Sequence, residues 1–288
     1  MPVSPAKLLE GKTLAAAIRE EIKTEIESFA AKGLARPSLL ALQVKEDPSG
    51  DWYVGQQEKA AEKLGIGFVR VVAGKIQDAP SLIQKLREAS ASEVTGIFLA
   101  MPLPAGFDPD EILLAMDPRK DVEGIHPSSL GLIMLRKARL IPPTAYAAYS
   151  LIKASGFPLR GKRAVIIGQS PIVGRPLHLL LGDERVTSTV CNSGTSAADL
   201  EAIVSASDIV VACCGQPGLI KGAWVKPGAV VIDVGTTEVN GKLTGDVEFE
   251  AASERASFIT PVPGGVGPLT VTMLMRNLIH AYKWQKGL

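Results

Sequence analysis

Apolar residues recur at helical spacing from Thr13 to about Ala31, and the pattern then tightens into a short, nearly unbroken apolar run from Leu39 to Val44. The exchange repeats: Tyr53 to Leu64 reads as a helix, Gly67 to Val72 as a strand, Pro80 to Ser90 as a helix and Gly96 to Leu99 as a strand. A second series follows, with helices at Tyr146 to Ser155, Val173 to Leu181 and Asp199 to Ser205. Its strands lie at Ala164 to Ile167, Ser188 to Cys191, Ile209 to Ala212 and Val230 to Val234. Helix and strand in alternation predict an α/β fold, because parallel strands need a crossover whose helix buries its apolar stripe on the sheet. The proline pair in IPPT, Ile141 to Thr144, separates the two series. Residues 1–141 are therefore expected to form an N-terminal α/β domain and 142–268 a doubly wound, Rossmann-like domain. A last helix, Leu269 to Trp284, follows a glycine-proline loop and is expected to return, as 269–288, to the first domain.

A chain of 288 residues is long enough for two medium cores. Its net charge of +1 provides no field for nucleic acid or an anionic bilayer. Apolar stretches fall short of the roughly 18 to 20 residues needed to span a membrane, and MPVSPAKLLEGK lacks the apolar core of a secretion signal, so a cytoplasmic location is expected. Cys191, Cys213 and Cys214 do not make a disulfide framework, and the adjacent pair reads as small apolar filler in a strand. His126, His178 and His280 show no ligand spacing, and no metal is expected.

The stretch 164–176, AVIIGQSPIVGRP, is a strand that breaks at Gly168 and restarts as a helix with Arg175 at its mouth. Free N–H groups at a helix start attract anions, which marks the turn as a phosphate site. Ser170 and Val173 occupy the second and third glycine places of the usual dinucleotide fingerprint, and Gly174 follows. An NAD site ordinarily carries a carboxylate about 20 residues further on, at the end of the next strand, to hold the ribose hydroxyl. Here that strand ends in Cys191, Asn192 and Ser193. With no carboxylate to repel a 2′-phosphate, and with Arg175 and the Ser193 hydroxyl to bind one, the residues favour NADP. Two further strands end in glycine turns, at Gly215 and at Asp233 to Gly235, where open α/β sheets present loops to ligands. Asp233 reads equally as a ligand contact or a structural carboxylate. Cofactor and substrate are expected to meet between the domains.

The stretches GQSPIVGRP, VIDVG, GDV, ITPVPGGVGPLT, MPLPAG and KDVEGIHP are spread over much of the chain. Together they resemble the bifunctional methylenetetrahydrofolate dehydrogenase/cyclohydrolase family. The resemblance implies a homodimer that transfers a hydride from 5,10-methylenetetrahydrofolate to NADP and hydrolyses the resulting methenyl cation to 10-formyltetrahydrofolate. It assigns catalytic positions to Tyr53, Gln57 and Glu123, and substrate contacts to Tyr53, Ala100, Asp121, Glu123 and the loop Pro263, Gly264, Gly265. Asp121 reads more simply as fixing its own loop. Gly168, Ser170, Val173, Gly174, Arg175, Ser193, Gly215, Asp233 and Gly235 complete the expected cofactor set.

Three of these positions depart from the family pattern. Gln57 stands where the family has a lysine, Ala100 where it has a glutamine and Glu123 where it has an aspartate; Gly50 and Lys45 are further departures, from a serine and a glycine. An amide hydrogen-bonds but does not titrate, so hydrolysis is expected to be weak or absent while dehydrogenation, whose chemistry NADP carries, survives. Lys59 does not replace the lysine, since it lies about 120° from Tyr53 around the helix whereas Gln57 lies about 40° away. Two alternatives stay open: full bifunctionality with water and Glu123 in the lysine's place, and a non-catalytic folate- or NADP-binding paralog or an enzyme for another pterin.

Overall fold

The computed structural model describes residues 6–44, 48–72, 74, 76 and 78–288, with Pro48 and Ser49 as backbone alone. Lys45 lies outside them. The chain divides into two units, one of residues up to Ala15 with Thr144–Thr270, the other of Ala16–Pro143 with Val271–Leu288. The start of the chain thus departs from the expected division. The strand β1 (Lys7–Leu8) hydrogen-bonds into the sheet of the unit that holds Thr144–Thr270, and α1 (Gly11–Ala31) begins there.

In the other unit β2 (Ser38–Gln43) leads through α2 (Pro48–Leu64) to β3 (Gly67–Val72), and α3 (Ala79–Ala91) leads to β4 (Gly96–Leu99). The parallel order is β3-β2-β4. With β2 central, one crossover goes to each side, so the carboxyl ends of β2 and β4 flank the switch point at which open α/β sheets bind ligands. Two short helices, α4 (Pro109–Leu113) and α5 (Pro127–Met134), were not apparent as apolar periodicity; each begins on a proline after a side-chain cap, from Asp108 and His126. Helix α2 begins five residues earlier than expected, on Pro48 with Asp51 in its first turn, which places Tyr53 inside the helix.

The larger sheet follows α6 (Pro143–Ala154). The chain runs through β5 (Arg163–Ile167), α7 (Gly174–Asp183), β6 (Thr187–Cys191), α8 (Ala197–Ala206), β7 (Ile209–Ala212) and β8 (Val230–Asp233). A separate two-stranded hairpin of β9 (Thr237–Val239) and β10 (Lys242–Thr244) and the helix α9 (Phe249–Ser253) follow, and β11 (Phe258–Ile259) returns to the larger sheet. The parallel order is β1-β11-β8-β7-β5-β6, so the chain reverses direction across the sheet at β5 and β7. Strands β5, β7 and β8 are almost wholly buried, as a parallel sheet covered on both faces requires.

The last helix, α10 (Val266–Lys286), packs Leu274, Leu278, Ile279 and Tyr282 into the core of the smaller sheet beside Ile22, Phe29, Leu39 and Phe98. It also holds a loop. Asn277 Nδ2 donates to the carbonyls of Val122 and Ile141 at 2.8 Å each, fixing the backbone next to Glu123. Replacing Asn277 by alanine leaves two buried carbonyls unpaired and is expected to cost about 2 kcal/mol in urea unfolding; a loss below about 0.5 kcal/mol would show that the loop holds itself.

Candidate active site

In the smaller sheet's unit, Tyr53 and Gln57 stand one turn apart on α2, Ala100 follows β4, and Asp121 and Glu123 lie on the segment that extends the sheet through a parallel bridge between Ile97 and Asp121. The Tyr53 ring is half-buried, its centroid 5.6 Å from that of Phe98. Burial, and then the Glu123 carboxylate, hold the Tyr53 hydroxyl far above the usual tyrosine range, with the Gln57 amide opposing them. That amide comes near the hydroxyl without making a hydrogen bond of ordinary geometry. Gln57 is fully buried, and neither its Oε1 nor its Nε2 has a partner among the described residues.

Glu123 is the group whose chemistry is most altered. Its residue surface is only partly covered, yet its carboxyl is ringed by protein, and desolvation followed by the neighbouring Asp121 raises its pKa from 4.5 to about 8, against the pull of the Leu99 backbone N–H. Asp121 is buried and occupied: Oδ2 accepts from the His126 N–H at 2.8 Å and from the Ser129 hydroxyl at 2.9 Å, so its position is that of a loop brace. Ala100 is buried, its N–H bonded to the Leu42 carbonyl. Lys59 is exposed, on another face of α2.

The second group lies at the carboxyl ends of β5 and β7. A Cβ on Gly168 would meet the Cys213 carbonyl oxygen at 2.3 Å, and one on Gly174 would meet the Gly168 oxygen at 1.9 Å. Gly174, one place after Val173, therefore serves as the glycine that lets helix and strand close up. The helix start is poorer in free donors than its sequence suggests. The Val173 N–H bonds to Ser170 Oγ at 3.1 Å, the Arg175 N–H bonds to the Ser170 carbonyl at 3.1 Å, and Pro176 has none. The Arg175 guanidinium, which no carboxylate pairs among the described residues, and the Ser193 hydroxyl are both exposed beside it. Sequence reasoning passed over Gln169 and Asn192, whose side chains bond at 3.0 Å and join the two loops. These residues fit a nucleotide bearing a 2′-phosphate, because the end of β6 presents an amide and a hydroxyl where a carboxylate would repel it.

Asp233 braces its own loop. Its Oδ1 accepts from the N–H groups of Gly235 and Asp246, both at 3.0 Å, and its Oδ2 accepts from that of Val247 at 2.9 Å. The paired cysteines are not simple apolar filler: the Cys214 N–H and thiol both donate to Asp246 Oδ2, and the Gly215 N–H donates there too. Burial, then the neighbouring acidic groups, push the Cys213 and Cys214 thiols up to about 12 and about 11, which keeps them protonated. Pro263, Gly264 and Gly265 belong to this unit, where the Gly264 carbonyl accepts from the Gly11 N–H at 3.0 Å. Among the described residues no group of three His, Cys, Asp or Glu is placed to hold a metal, and no helix is long and apolar enough to cross a membrane.

A doubly wound sheet with its glycine turn at the switch point, joined in one chain to a smaller α/β unit with a buried, perturbed carboxyl, defines a two-domain nucleotide-binding α/β protein. The comparisons refine that class. Residues 9–123 match the tetrahydrofolate dehydrogenase/cyclohydrolase catalytic domain, and residues 142–286 match the NAD(P)-binding domain of the same family. The chain is 44% identical over 282 residues to the bifunctional protein FolD of Geotalea uraniireducens, covering 96% of this chain and 99% of that one. It is 43% identical over 278 residues to bifunctional protein FolD 2 of Myxococcus xanthus, covering 96% of each. The solved methylenetetrahydrofolate dehydrogenase-cyclohydrolase of Trypanosoma brucei, complexed with NADP cofactor and an inhibitor, superposes with a TM-score of 0.94 at 36% identity, covering 99% of this chain and 100% of that one. The chain belongs to the tetrahydrofolate dehydrogenase/cyclohydrolase family.

Proposed function

We propose that the protein oxidises 5,10-methylenetetrahydrofolate with NADP and hydrolyses the methenyl product to 10-formyltetrahydrofolate. The observation that carries this reading is Glu123, a carboxyl whose pKa of about 8 lets it exchange protons near neutrality in a pocket with Tyr53 and Gln57. NADP when bound supplies the hydride acceptor, and Arg175 and Ser193 hold its 2′-phosphate. Glu123, in its ionised form, then takes one proton from the water that attacks the one-carbon bridge and returns it to N5 of the pterin as the C–N5 bond breaks, while the water's second proton goes to solvent as the formyl C=O forms and the cation's charge is discharged. The relatives are named as bifunctional, which favours dual activity over the expectation of weak hydrolysis. That weaker reading keeps one specific support, the Gln57 amide at the place of the family's lysine, since it does not titrate. Homodimerisation, which rests on the family, and a cytoplasmic location, which rests on the sequence, remain parts of the proposal.

The test is an assay of purified protein with 5,10-methylenetetrahydrofolate and NADP, then with 5,10-methenyltetrahydrofolate alone, scored against buffer. NADPH formation with accelerated hydrolysis supports dual activity, NADPH formation without it supports the second reading, and no turnover in either arm rejects both. In the same assay Arg175→Ala is expected to raise the apparent KM for NADP about 10-fold or more while changing that for NAD little. Equal changes for both nucleotides would remove Arg175 from the 2′-phosphate.

A further inference from the structure

Among the stretches that carry the family resemblance, GDV (Gly245 to Val247) supplies no residue to the expected catalytic, substrate or cofactor sets. Its aspartate, Asp246, is fully buried. The backbone around it is tied on two sides: the Asp246 N–H donates to Asp233 Oδ1 at 3.0 Å, the Asp246 carbonyl accepts from the Ile220 N–H at 2.9 Å, and the Gly245 carbonyl accepts from the Gly218 N–H at 3.1 Å. From that fixed origin the side chain reaches the turn after β7. There Oδ2 accepts from the Cys214 N–H at 2.8 Å, from the Gly215 N–H at 3.0 Å and from the Cys214 thiol at 3.4 Å. Oδ1 is buried without a hydrogen-bond partner among the described residues and lies against the turn after β8, where a Cβ on Gly235 would meet it at 2.4 Å. Gly235 is bare because Asp246 occupies the space of its side chain. One carboxylate thus sits between the turns that close two neighbouring strands.

We propose that Asp246 is a positioning residue for the nicotinamide half of NADP, holding the Cys214–Gly215 turn in the form that the nucleotide needs. The inference rests on the assignment of Arg175 and Ser193 to the 2′-phosphate and deepens it. Arg175 follows β5 and Ser193 follows β6, on one side of the switch point between β5 and β7. A dinucleotide held there by its 2′-phosphate crosses that point toward the ends of β7 and β8. Those ends carry the turns that Asp246 braces. The β7 turn also leans on the glycine turn after β5, since the Cys213 N–H donates to the Ile167 carbonyl at 2.8 Å and the Cys213 carbonyl fills the space beside Gly168. Without the carboxylate, the Cys214 and Gly215 N–H groups are orphaned and turn toward solvent. The turn then spreads over several conformations, of which only a fraction accept the nucleotide. Arg175 and Ser193 lie outside this brace, so the loss falls on one half of the dinucleotide.

The experiment uses the full chain and titration calorimetry with two ligands, NADP and adenosine 2′,5′-bisphosphate, which carries the 2′-phosphate and lacks the nicotinamide half. In Asp246→Ala the Kd of NADP is expected to rise about 10-fold or more and that of the bisphosphate less than about 2-fold. Asp246→Asn keeps an acceptor oxygen for the two N–H groups and drops the charge, and its ratio of the two constants is expected to stay within about 3-fold of wild type. A general loosening of the sheet weakens both ligands alike. That result, an unchanged ratio, or an asparagine variant as weak as the alanine one overturns the inference and leaves NADP binding intact. Should Asp246→Ala fail to fold, amide exchange in the wild type decides. The Gly215 N–H is expected to exchange at least about 10-fold more slowly than in an unstructured chain before any nucleotide is added. Exchange at the unstructured rate overturns the inference. Failure of the wild type to bind NADP or the bisphosphate rejects both this inference and the 2′-phosphate assignment beneath it.

Discussion

Asp233→Ala is expected to destabilise the unit of the larger sheet by about 3 kcal/mol. Its carboxylate accepts three backbone N–H groups, those of Gly235, Asp246 and Val247, at 2.9 to 3.0 Å. Alanine orphans all three, at about 1–3 kcal/mol each. An opposing effect reduces the sum. Desolvation, and then Asp246 among its neighbours, raise the pKa of Asp233 from 3.8 to about 6 despite those hydrogen bonds, so the ionised side chain is itself held at a cost that alanine removes. The sign of the pH dependence follows. Because the folded pKa is raised, the folded state binds more protons between about pH 4 and 6, and the wild type loses stability as pH rises through that window. The deficit of the alanine variant should therefore be wider at pH 5 than at pH 8, by about 1 kcal/mol. Urea unfolding at the two pH values measures it, and a loss under about 1 kcal/mol at both would show that the 235–247 loop does not depend on Asp233.

Asp233 also shows where reading the chain alone runs out. An aspartate at the end of a parallel strand is the same letter whether it meets a ribose or its own loop, and only the positions of Gly235, Asp246 and Val247 show that it braces the loop. The helix start at Val173 is a similar case. Sequence marks it as an anion site, but Ser170, two places past the glycine, uses two of its N–H groups. By contrast β2, β4, β5, β7 and β8 were legible, because buried parallel strands read as apolar runs whatever they pack against. So was the grouping of Tyr53, Gln57, Ala100, Asp121 and Glu123 within one unit, which came from the resemblance. Elements too short for periodicity, such as α4, α5 and β11, escaped. The β9–β10 hairpin did carry a local signal in Asn240-Gly241, both at positive φ, the dipeptide that a tight hairpin turn selects.

Glu123→Gln should make the protein less active and, at alkaline pH, more stable. The carboxyl titrates from 4.5 in the unfolded chain to about 8 in the fold, so the folded state binds the extra proton throughout that interval. Wild-type stability therefore falls as pH rises from about 4.5 to 8, and the glutamine variant, which keeps the shape and lacks the charge, escapes the fall. Discounted for the solvent that reaches Glu123, the difference is expected to be about 2 kcal/mol in favour of the variant at pH 9 and to vanish near pH 4.5. The methenyl-hydrolysing activity should move the other way, dropping about 100-fold with the loss of a group that takes and returns the proton, while NADPH formation falls less. Thermal melts across pH 4.5 to 9, paired with the two assays, separate these effects. A variant that loses hydrolysis while gaining alkaline stability marks Glu123 as a carboxylate retained for chemistry against its own burial. A variant less stable than wild type at pH 9 would show instead that Glu123 serves the fold.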